Sequence, residues 1–300
     1  MTDPAEGVPY VSARDFERAL TDRIANAAAS SPHGVAELRR RFAYGRLLAR
    51  LFISQPEQWV LKGAICLLAR LPLRARHSID VDLYYEGEID AAVAALRSAT
   101  EADLGDFFTF DIERGASLGG ETAGIQFRVT AYLGDKIFEM FRVDVVVDRT
   151  MTADPDLIPP IEPVEIPGLR SAAYRAHPIA DQIADRHAAM IGTYAGRPST
   201  RYRDLVDLVL IATTQAVSAT ALHAALVSEH RRRGMTPSLP FSLPSDEWQQ
   251  GYRKITTTIP GFPVLDATEA AEIVSRLVDP VIAGLTSGTW DPDGLKWGSP

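Results

Sequence analysis

Two aspartates lie two positions apart in the apolar segment RHSIDVDLYY. Side chains alternate between the two faces of a β-strand, so Asp80 and Asp82 point to the same face. Ile79, Val81 and Leu83 then form the opposite face, which is suited to a core. Carboxylates held this close repel and raise each other's pKa unless a positive charge lies between them. The segment therefore predicts a strand that holds a divalent cation, with a solvated edge strand as the alternative.

The residues before this segment form a turn suited to phosphate. QWVLKG is predicted to be a short strand that ends on Gly63, and AICLLAR a helix that begins directly after it. Glycine lets the backbone approach phosphate oxygens, and the N–H groups at the helix start face them. Lys62 belongs to this turn, and its alternative is a surface residue at a strand end. Arg74 and Arg76 are candidates for binding a triphosphate or the acceptor RNA.

Further strands follow a helix predicted from Ile89 to Ala102. FFTFDIERG, AGIQFRVTAYLG and IFEMFRVDVVVD are rich in strand-forming residues, and the last of them contains Asp144. Asp144 is a candidate third carboxylate of a two-metal site that activates an attacking hydroxyl. Its alternative is a strand-end carboxylate paired with an arginine. The order of helices and strands predicts an α/β domain.

The rest of the chain has a helical pattern. A proline-rich passage contains PVEI, a candidate edge strand, and is followed by the helical segments PIADQIADRHAAMIGTY and STRYRDLVDLVLIATTQ. Ser199 or Thr200 is the expected cap of the second segment. We therefore divide the chain into a domain over residues 1–170 and a helical lobe over residues 171–300.

Two arginine triplets need separate interpretations. Arg39–Arg41 lies within a predicted helix, and because consecutive residues fan around a helix, a solvated face is favoured. Arg231–Arg233 ends a later helix, where the macrodipole favours cations. The alternative is that both triplets, with Arg201 and Arg203, form a groove that contacts RNA phosphates.

The composition excludes several classes of protein. The net charge of −8 excludes a generally basic nucleic-acid coat, although a local basic patch remains compatible with RNA binding. Cys66 is the only cysteine, which excludes a disulfide framework within one chain. The N-terminus lacks a basic region followed by an apolar stretch, and no segment reaches the length of a membrane span. We expect a cytoplasmic protein without membrane contact.

The motifs LKGA and RHSIDVDL resemble the first motif of the nucleotidyltransferase superfamily, a glycine turn followed by Asp-x-Asp. More narrowly, they resemble the AbiEii/AbiGii toxin family of type IV-like toxin–antitoxin systems. STRYRDLVDLVLIA is similar to that family's helical C-terminal motif. With the upstream helix IADQIADRHAAM, the resemblance is closest to mycobacterial toxins that add nucleotides to tRNA, and it covers roughly residues 55 to 215.

This resemblance implies a DNA-polymerase-β-like catalytic domain with a mixed sheet, followed by an α-helical C-terminal lobe. It implies Mg²⁺-dependent transfer of a nucleotide, a pyrimidine, from an NTP to the 3′ end of tRNA, which would block translation. It also implies a cognate antitoxin, in some systems a kinase that phosphorylates the serine before Asp-x-Asp. Ser78 occupies that position here.

The resemblance assigns roles to particular residues. Asp80 and Asp82 are the expected metal ligands, and Lys62 and Gly63 the expected phosphate turn. Asp204 or Asp207 is the expected acidic residue of the C-terminal lobe. The alternative for RDLVDL is an amphipathic helix with its two carboxylates on an exposed face.

Two positions depart from the family pattern. Ala64 stands where the superfamily has a serine, so no hydroxyl is available there to bind phosphate. The family's helix lysine is missing, because the chain has no lysine between Lys136 and Lys254. Arg186 is the best substitute, and Gln182 is a poorer one. Nucleotide transfer onto a protein, or an NTP- or RNA-binding module without turnover, are therefore the alternatives.

Overall fold

The computed structural model describes residues 7–118, 123–147, 150–194, 196–264 and 266–298. These residues form two compact units, and the main division between them falls after Ala176. Two short segments from the first part of the chain, Arg74–Arg76 and Met151–Asp154, belong to the second unit. The sequence analysis placed the boundary after residue 170, and this division into a catalytic domain and a helical lobe stays a prediction.

The described residues of the first unit contain four helices and seven strands. They are α1 (Ala13–Ala29), α2 (Val35–Ser54), β1 (Trp59–Lys62), α3 (Gly63–Arg70), β2 (Asp80–Tyr85), α4 (Ile89–Glu101), β3 (Phe108–Ser117), β4 (Gly124–Leu133), β5 (Lys136–Val146), β6 (Asp156–Ile158) and β7 (Tyr174–Ala176). The predicted strands β1 to β5, the helix that begins after β1 and the helix that begins at Ile89 are confirmed. The PVEI prediction is wrong, because β6 lies before that segment and β7 after it.

The seven strands form one mixed sheet in the order β3-β4-β5-β2-β1-β7-β6. β2 is parallel to β5 and antiparallel to β1, while β1 is parallel to β7. β3, β4 and β5 form an antiparallel meander. The predicted class, an α/β domain with a mixed sheet, is confirmed. The central position of β2 explains why its sequence is mostly apolar.

One face of the sheet is apolar and packs against α2. Val81 and Leu83 are fully buried on this face of β2. The Phe141 ring of β5 lies 4.9 Å from the Tyr44 ring of α2, in an edge-on arrangement. Ile79 does not join this core, because it precedes the strand and is 45% exposed. The predicted core face of β2 therefore begins at Val81.

A buried ion cluster joins α2 to the segment before β3. Arg46 Nε donates to Asp106 Oδ2 at 2.7 Å, and Arg50 Nη2 donates to Asp106 Oδ1 at 2.8 Å. All three side chains are at most 2% exposed. Burial alone would raise the pKa of Asp106, but the hydrogen bond from Arg50 and the charges of both arginines lower it below its usual value. The cluster contains two cations and one anion.

Arginines of the triplet in α2 also contact other parts of the first unit, so the interpretation of the triplet as a solvated face is wrong. Arg39 lies over the Phe138 ring, 4.0 Å from its centroid, and donates to the Phe138 carbonyl. Arg41 is buried and donates to the Pro72 carbonyl at 2.5 Å. These contacts fix α2 within the first unit.

The second unit is mostly helical, as predicted. Its described elements are α5 (Ile179–Ile191), β8 (Thr193–Tyr194), β9 (Arg197–Pro198), α6 (Tyr202–Ala212), β10 (Val217–Ser218), α7 (Ala219–Arg232), α8 (Trp248–Thr256), α9 (Ala267–Ile282), β11 (Thr289–Asp291) and β12 (Lys296–Trp297). The residue that caps α6 is Arg201 rather than Ser199 or Thr200. Within the described parts of the chain, no helix is long and apolar enough to cross a membrane.

Two histidines meet in the core of the second unit. His187 Nδ1 of α5 and His230 Nε2 of α7 lie 3.2 Å apart in a hydrogen bond. Burial, with a smaller contribution from His230, lowers the pKa of His187 to about 3. His187 is therefore neutral in the folded protein at any pH near neutrality.

This lowered pKa predicts acid sensitivity. Below the unfolded-state pKa of about 6.5, the unfolded chain binds a proton that folded His187 rejects, so stability falls by about 1.4 kcal/mol per pH unit until roughly pH 3. Between about pH 7.5 and about pH 5, urea unfolding should show a stability loss in the wild type that is smaller in His187→Gln by about 2 kcal/mol. His223→Gln is the control, and an unchanged pH dependence in His187→Gln would contradict the prediction.

Candidate active site

Four side chains form a row across neighbouring strands of the first unit. Lys62 of β1 lies opposite Asp82 of β2, and Asp82 lies opposite Asp144 of β5. Gln126 of β4 completes the row opposite Asp144. Residues directly opposite on adjacent strands point to the same face, and adjacent strands are about 4.8 Å apart. The row therefore places two carboxylates between a lysine and an amide.

A second row of side chains lies two residues away from the first row on β2, β5 and β4. Asp80 is opposite Arg142, and Arg142 is opposite Arg128. Because residues two positions apart share a face, Asp80 joins Asp82 and Asp144 on the same surface. Arg142 Nε donates to Asp80 Oδ1 at 2.7 Å. The structure thus places the three predicted carboxylates on one face of the sheet, opposite the core.

The turn between β1 and α3 brings the backbone against Asp82. Gly63 has a φ of +62°, a left-handed conformation that glycine adopts readily. A Cβ at this position would lie 1.9 Å from Asp82 Oδ2, closer than any non-bonded contact allows. Asp82 therefore lies beside the first residue of α3, where the helix dipole stabilises negative charge. Ala64, the next residue, is buried.

The pKa of Asp144 is shifted by its surroundings. Burial raises its pKa above the usual value, and the negative charge of Asp80 raises it further. A hydrogen bond from Gln126 Nε2 to Asp144 Oδ1, 2.9 Å long, and the charge of Arg142 act in the opposite direction. Asp80 and Asp144 are thus close enough for their charges to interact.

The donor set of this face suits a hard cation such as Mg²⁺. Asp80, Asp82 and Asp144 supply carboxylate oxygens, the ligands that Mg²⁺ prefers. In the conformation found, Asp80 is bonded to Arg142 and Asp144 to Gln126. Consistent with this, the described residues contain no group of three or more His, Cys, Asp or Glu side chains already gathered as metal ligands. A cation would have to compete with those two side chains.

Two further predicted residues lie beside this face. Lys62 is 8% exposed, so its alternative as a surface residue is wrong. Ser78 Oγ donates to the Asp80 carbonyl at 3.1 Å, and the Ser78 carbonyl accepts from Tyr44 at 3.0 Å. Ser78 therefore fixes the entry into β2. Its phosphorylation stays a prediction.

The other predicted residues belong to the second unit and form a buried ion group there. Asp207 accepts from Arg76 Nε at 2.9 Å and from Arg76 Nη2 at 3.0 Å. Arg186 Nε also donates to Asp207, at 3.3 Å, and Arg201 pairs with Asp204. Both aspartates are buried, so the alternative of an exposed carboxylate face on RDLVDL is wrong. Catalytic roles for Arg186, Asp204 and Asp207, and nucleotide binding by Arg76, stay predictions.

Gln126 and Arg142 were missed by the sequence analysis. Both lie in strands whose alternation is readable, and each stands two residues from another polar residue, Arg128 and Asp144 respectively. That alternation indicates a polar face on β4 and β5. Which residue meets which carboxylate depends on the register between strands, which local patterns do not reveal.

The chain is similar to a known protein family and to solved structures. A family model described as "Nucleotidyl transferase AbiEii toxin, Type IV TA system" matches residues 46–273. Among solved structures, JHP933 from Helicobacter pylori is 17% identical, with a TM-score of 0.44, and the match covers 79% of this chain and 88% of that one. A candidate nucleotidyltransferase from H. pylori is 16% identical, with a TM-score of 0.45 and coverage of 81% and 94%. No curated protein matches the chain.

Proposed function

Because the chain belongs to the AbiEii family of nucleotidyltransferase toxins, we propose that it transfers a nucleotide from an NTP to the 3′-hydroxyl of tRNA. The nucleotide is a pyrimidine, and the cofactor is Mg²⁺. A tRNA extended at its 3′ end cannot be aminoacylated, so the reaction stops translation in the cytoplasm.

The observation that carries this proposal is the register of Asp82 with Asp144 beside the Gly63 turn. Asp80 adds a third carboxylate on the same face. Phosphoryl-type transfer requires little from a protein beyond positioning and charge neutralisation. Mg²⁺ held by Asp80, Asp82 and Asp144 would neutralise charge on the triphosphate and lower the pKa of the acceptor hydroxyl.

The chain's own residues have defined tasks in this reaction. The acceptor oxygen forms a bond to the α-phosphorus of the NTP, and the bond from that phosphorus to the β-phosphate oxygen breaks, releasing pyrophosphate. Asp144 accepts the proton of the acceptor hydroxyl, and the hydrogen bond from Gln126 orients its carboxylate for this task. Lys62, in register with Asp82, contributes a positive charge at the edge of the carboxylate row.

A cognate antitoxin is the proposed protein partner, as expected of a type IV toxin–antitoxin family. Phosphorylation of Ser78 would replace the hydroxyl that donates to the Asp80 carbonyl with a doubly charged group. The added charge would lie two residues before Asp80 and would repel the triphosphate. Such a modification would therefore restrain the toxin.

The test is incubation of the purified protein with total tRNA, Mg²⁺ and each α-³²P-labelled NTP in turn. We expect label in tRNA with one NTP, no label with Asp80→Ala, and no label in tRNA whose 3′-terminal ribose has been oxidised with periodate. Loss of label on periodate treatment identifies the 3′-hydroxyl as the acceptor.

Two outcomes would favour the alternatives. Label that remains on protein after RNase treatment would indicate transfer onto a protein side chain. NTP binding without label in either RNA or protein would indicate a binding module, the alternative motivated by the missing lysine between Lys136 and Lys254.

A further inference from the structure

The ion pair between Arg142 and Asp80 involves an oxygen that the proposed cation site requires. Arg142 Nε donates to Asp80 Oδ1 at 2.7 Å. The Asp80 side chain is 30% exposed and that of Arg142 is 46% exposed. The pair is therefore open to solvent, where exchange of one partner for another costs little.

A second arginine in the same row provides a comparison. Arg128 lies opposite Arg142 on the adjacent strand and points to the same face. Its partner is Glu113, with Nη1 to Oε2 at 3.0 Å, and not one of the three site carboxylates. Both arginines are positively charged and lie on the same surface. Of the two, only Arg142 donates a hydrogen bond to one of the three site carboxylates.

Competition follows from the chemistry of the two partners. A carboxylate oxygen that accepts a short hydrogen bond from a guanidinium loses a lone pair, and the positive charge also repels a cation. When a divalent cation binds Asp80, the guanidinium of Arg142 must break its hydrogen bond to Asp80 Oδ1, although the Arg142 backbone remains in β5. Arginine forks match the oxygens of phosphate, so the displaced guanidinium is suited to bind a phosphate group of a substrate.

We propose that Arg142 competes with the divalent cation for Asp80 and, once displaced, binds phosphate oxygens of the substrate. Arg142 thus holds the carboxylate group together before cation binding and contributes to substrate binding afterwards. This inference rests on the proposed function, which supplies the phosphate-bearing substrates. Its cation step is independent of any turnover.

The first test uses Mn²⁺ alone, measured by electron paramagnetic resonance in titrations of the wild-type protein, Arg142→Gln and Arg128→Gln. Arg142→Gln should tighten Mn²⁺ binding by roughly threefold to tenfold, and Arg128→Gln should change it less than twofold, on the order of an exposed charge pair. Asp82→Asn serves to confirm that the signal reports this site. Equal affinity in wild type and Arg142→Gln would overturn the competition.

The second test measures transfer at saturating Mg²⁺. Arg142→Gln should raise a KM by about tenfold, as expected for loss of a charge-assisted hydrogen bond, while Arg128→Gln should leave it unchanged. A rise in the KM for NTP identifies the triphosphate as the phosphate source, and a rise in the KM for tRNA identifies the RNA backbone. Arg142→Lys should restore part of the loss, because it keeps the charge but not the fork.

The outcomes separate the two proposals. Tighter Mn²⁺ binding together with weaker substrate binding supports the inference, because a folding defect would weaken both. If Arg142→Gln bound Mn²⁺ more tightly but transferred nucleotide at an unchanged or faster rate, Arg142 would only compete with the cation. The proposed binding of phosphate by Arg142 would then be wrong. No transfer by the wild type would overturn the proposed function, and the Mn²⁺ titration would still decide the competition.

Discussion

Replacement of Asp82 by asparagine should reduce nucleotide incorporation by about 1,000-fold, because a cation ligand supplies several kcal/mol of transition-state stabilisation. Asparagine has nearly the same shape, so the contact with the Gly63 turn is kept while the charge is lost. The folded state should keep most of its stability, because relief of repulsion within the carboxylate group offsets the loss of a negative charge opposite the buried Lys62. Initial rates of α-³²P-NTP incorporation and thermal unfolding measure the two effects.

Asp111→Asn is the matched control for this prediction. Asp111 of β3 lies opposite Thr130 of β4. It is exposed and lies on the same face of the sheet as the site carboxylates. The substitution changes the charge of that face without touching the carboxylate group, so its rate should remain within about twofold of the wild type. If Asp82→Asn retained more than a tenth of the wild-type rate, the assignment of Asp82 as a cation ligand would be wrong.

The carboxylate face could be predicted from the sequence because the residues that indicate it are close together in the chain. Asp80 and Asp82 share a strand, and alternation alone places them on one side of it. The apolar neighbours Val81 and Leu83 then indicate which side faces the core. Gly63 was also readable as a turn, although its contact with Asp82 was not, because that contact joins β2 to the residue after β1.

The hydrogen-bond partners of these carboxylates could not be predicted from local sequence patterns. Asp144 was weighed as a carboxylate paired with an arginine, but the arginine pairs with Asp80 and an amide meets Asp144. The difference comes from the registers of β2 with β5 and of β5 with β4. A shift of two residues in either register would exchange the partners, and register depends on packing across the whole sheet.

Helix surfaces were the second source of error. RDLVDL is compatible with an exposed acidic face, yet Asp204 and Asp207 are buried and paired with arginines. Arg39–Arg41 is compatible with a solvated face, yet its members contact Phe138 and Pro72. Local spacing shows which charges share a face but not which distant residue covers that face. The pair of Arg76 with Asp207, for example, links residues far apart in the chain and leaves no local pattern.

The cluster of Arg46, Arg50 and Asp106 is the strongest example, and it predicts the largest effect on stability. Asp106→Asn should lower the free energy of unfolding by about 3–5 kcal/mol, because it leaves two buried guanidinium groups without a countercharge. Asparagine keeps the volume of the side chain, so the loss reports charge rather than packing. Urea denaturation followed by circular dichroism near neutral pH measures the change.

Two further variants test whether charge balance is the cause. Arg46→Met removes one of the two cations and leaves the bidentate pair of Arg50 with Asp106, so it should destabilise the protein less than Asp106→Asn. Glu113→Gln breaks the exposed pair with Arg128, where water screens the charges, and should change the stability little. A larger loss in Arg46→Met than in Asp106→Asn would contradict the argument, because the cluster would then depend on the packing of the arginine stem and its bond to the Arg170 carbonyl.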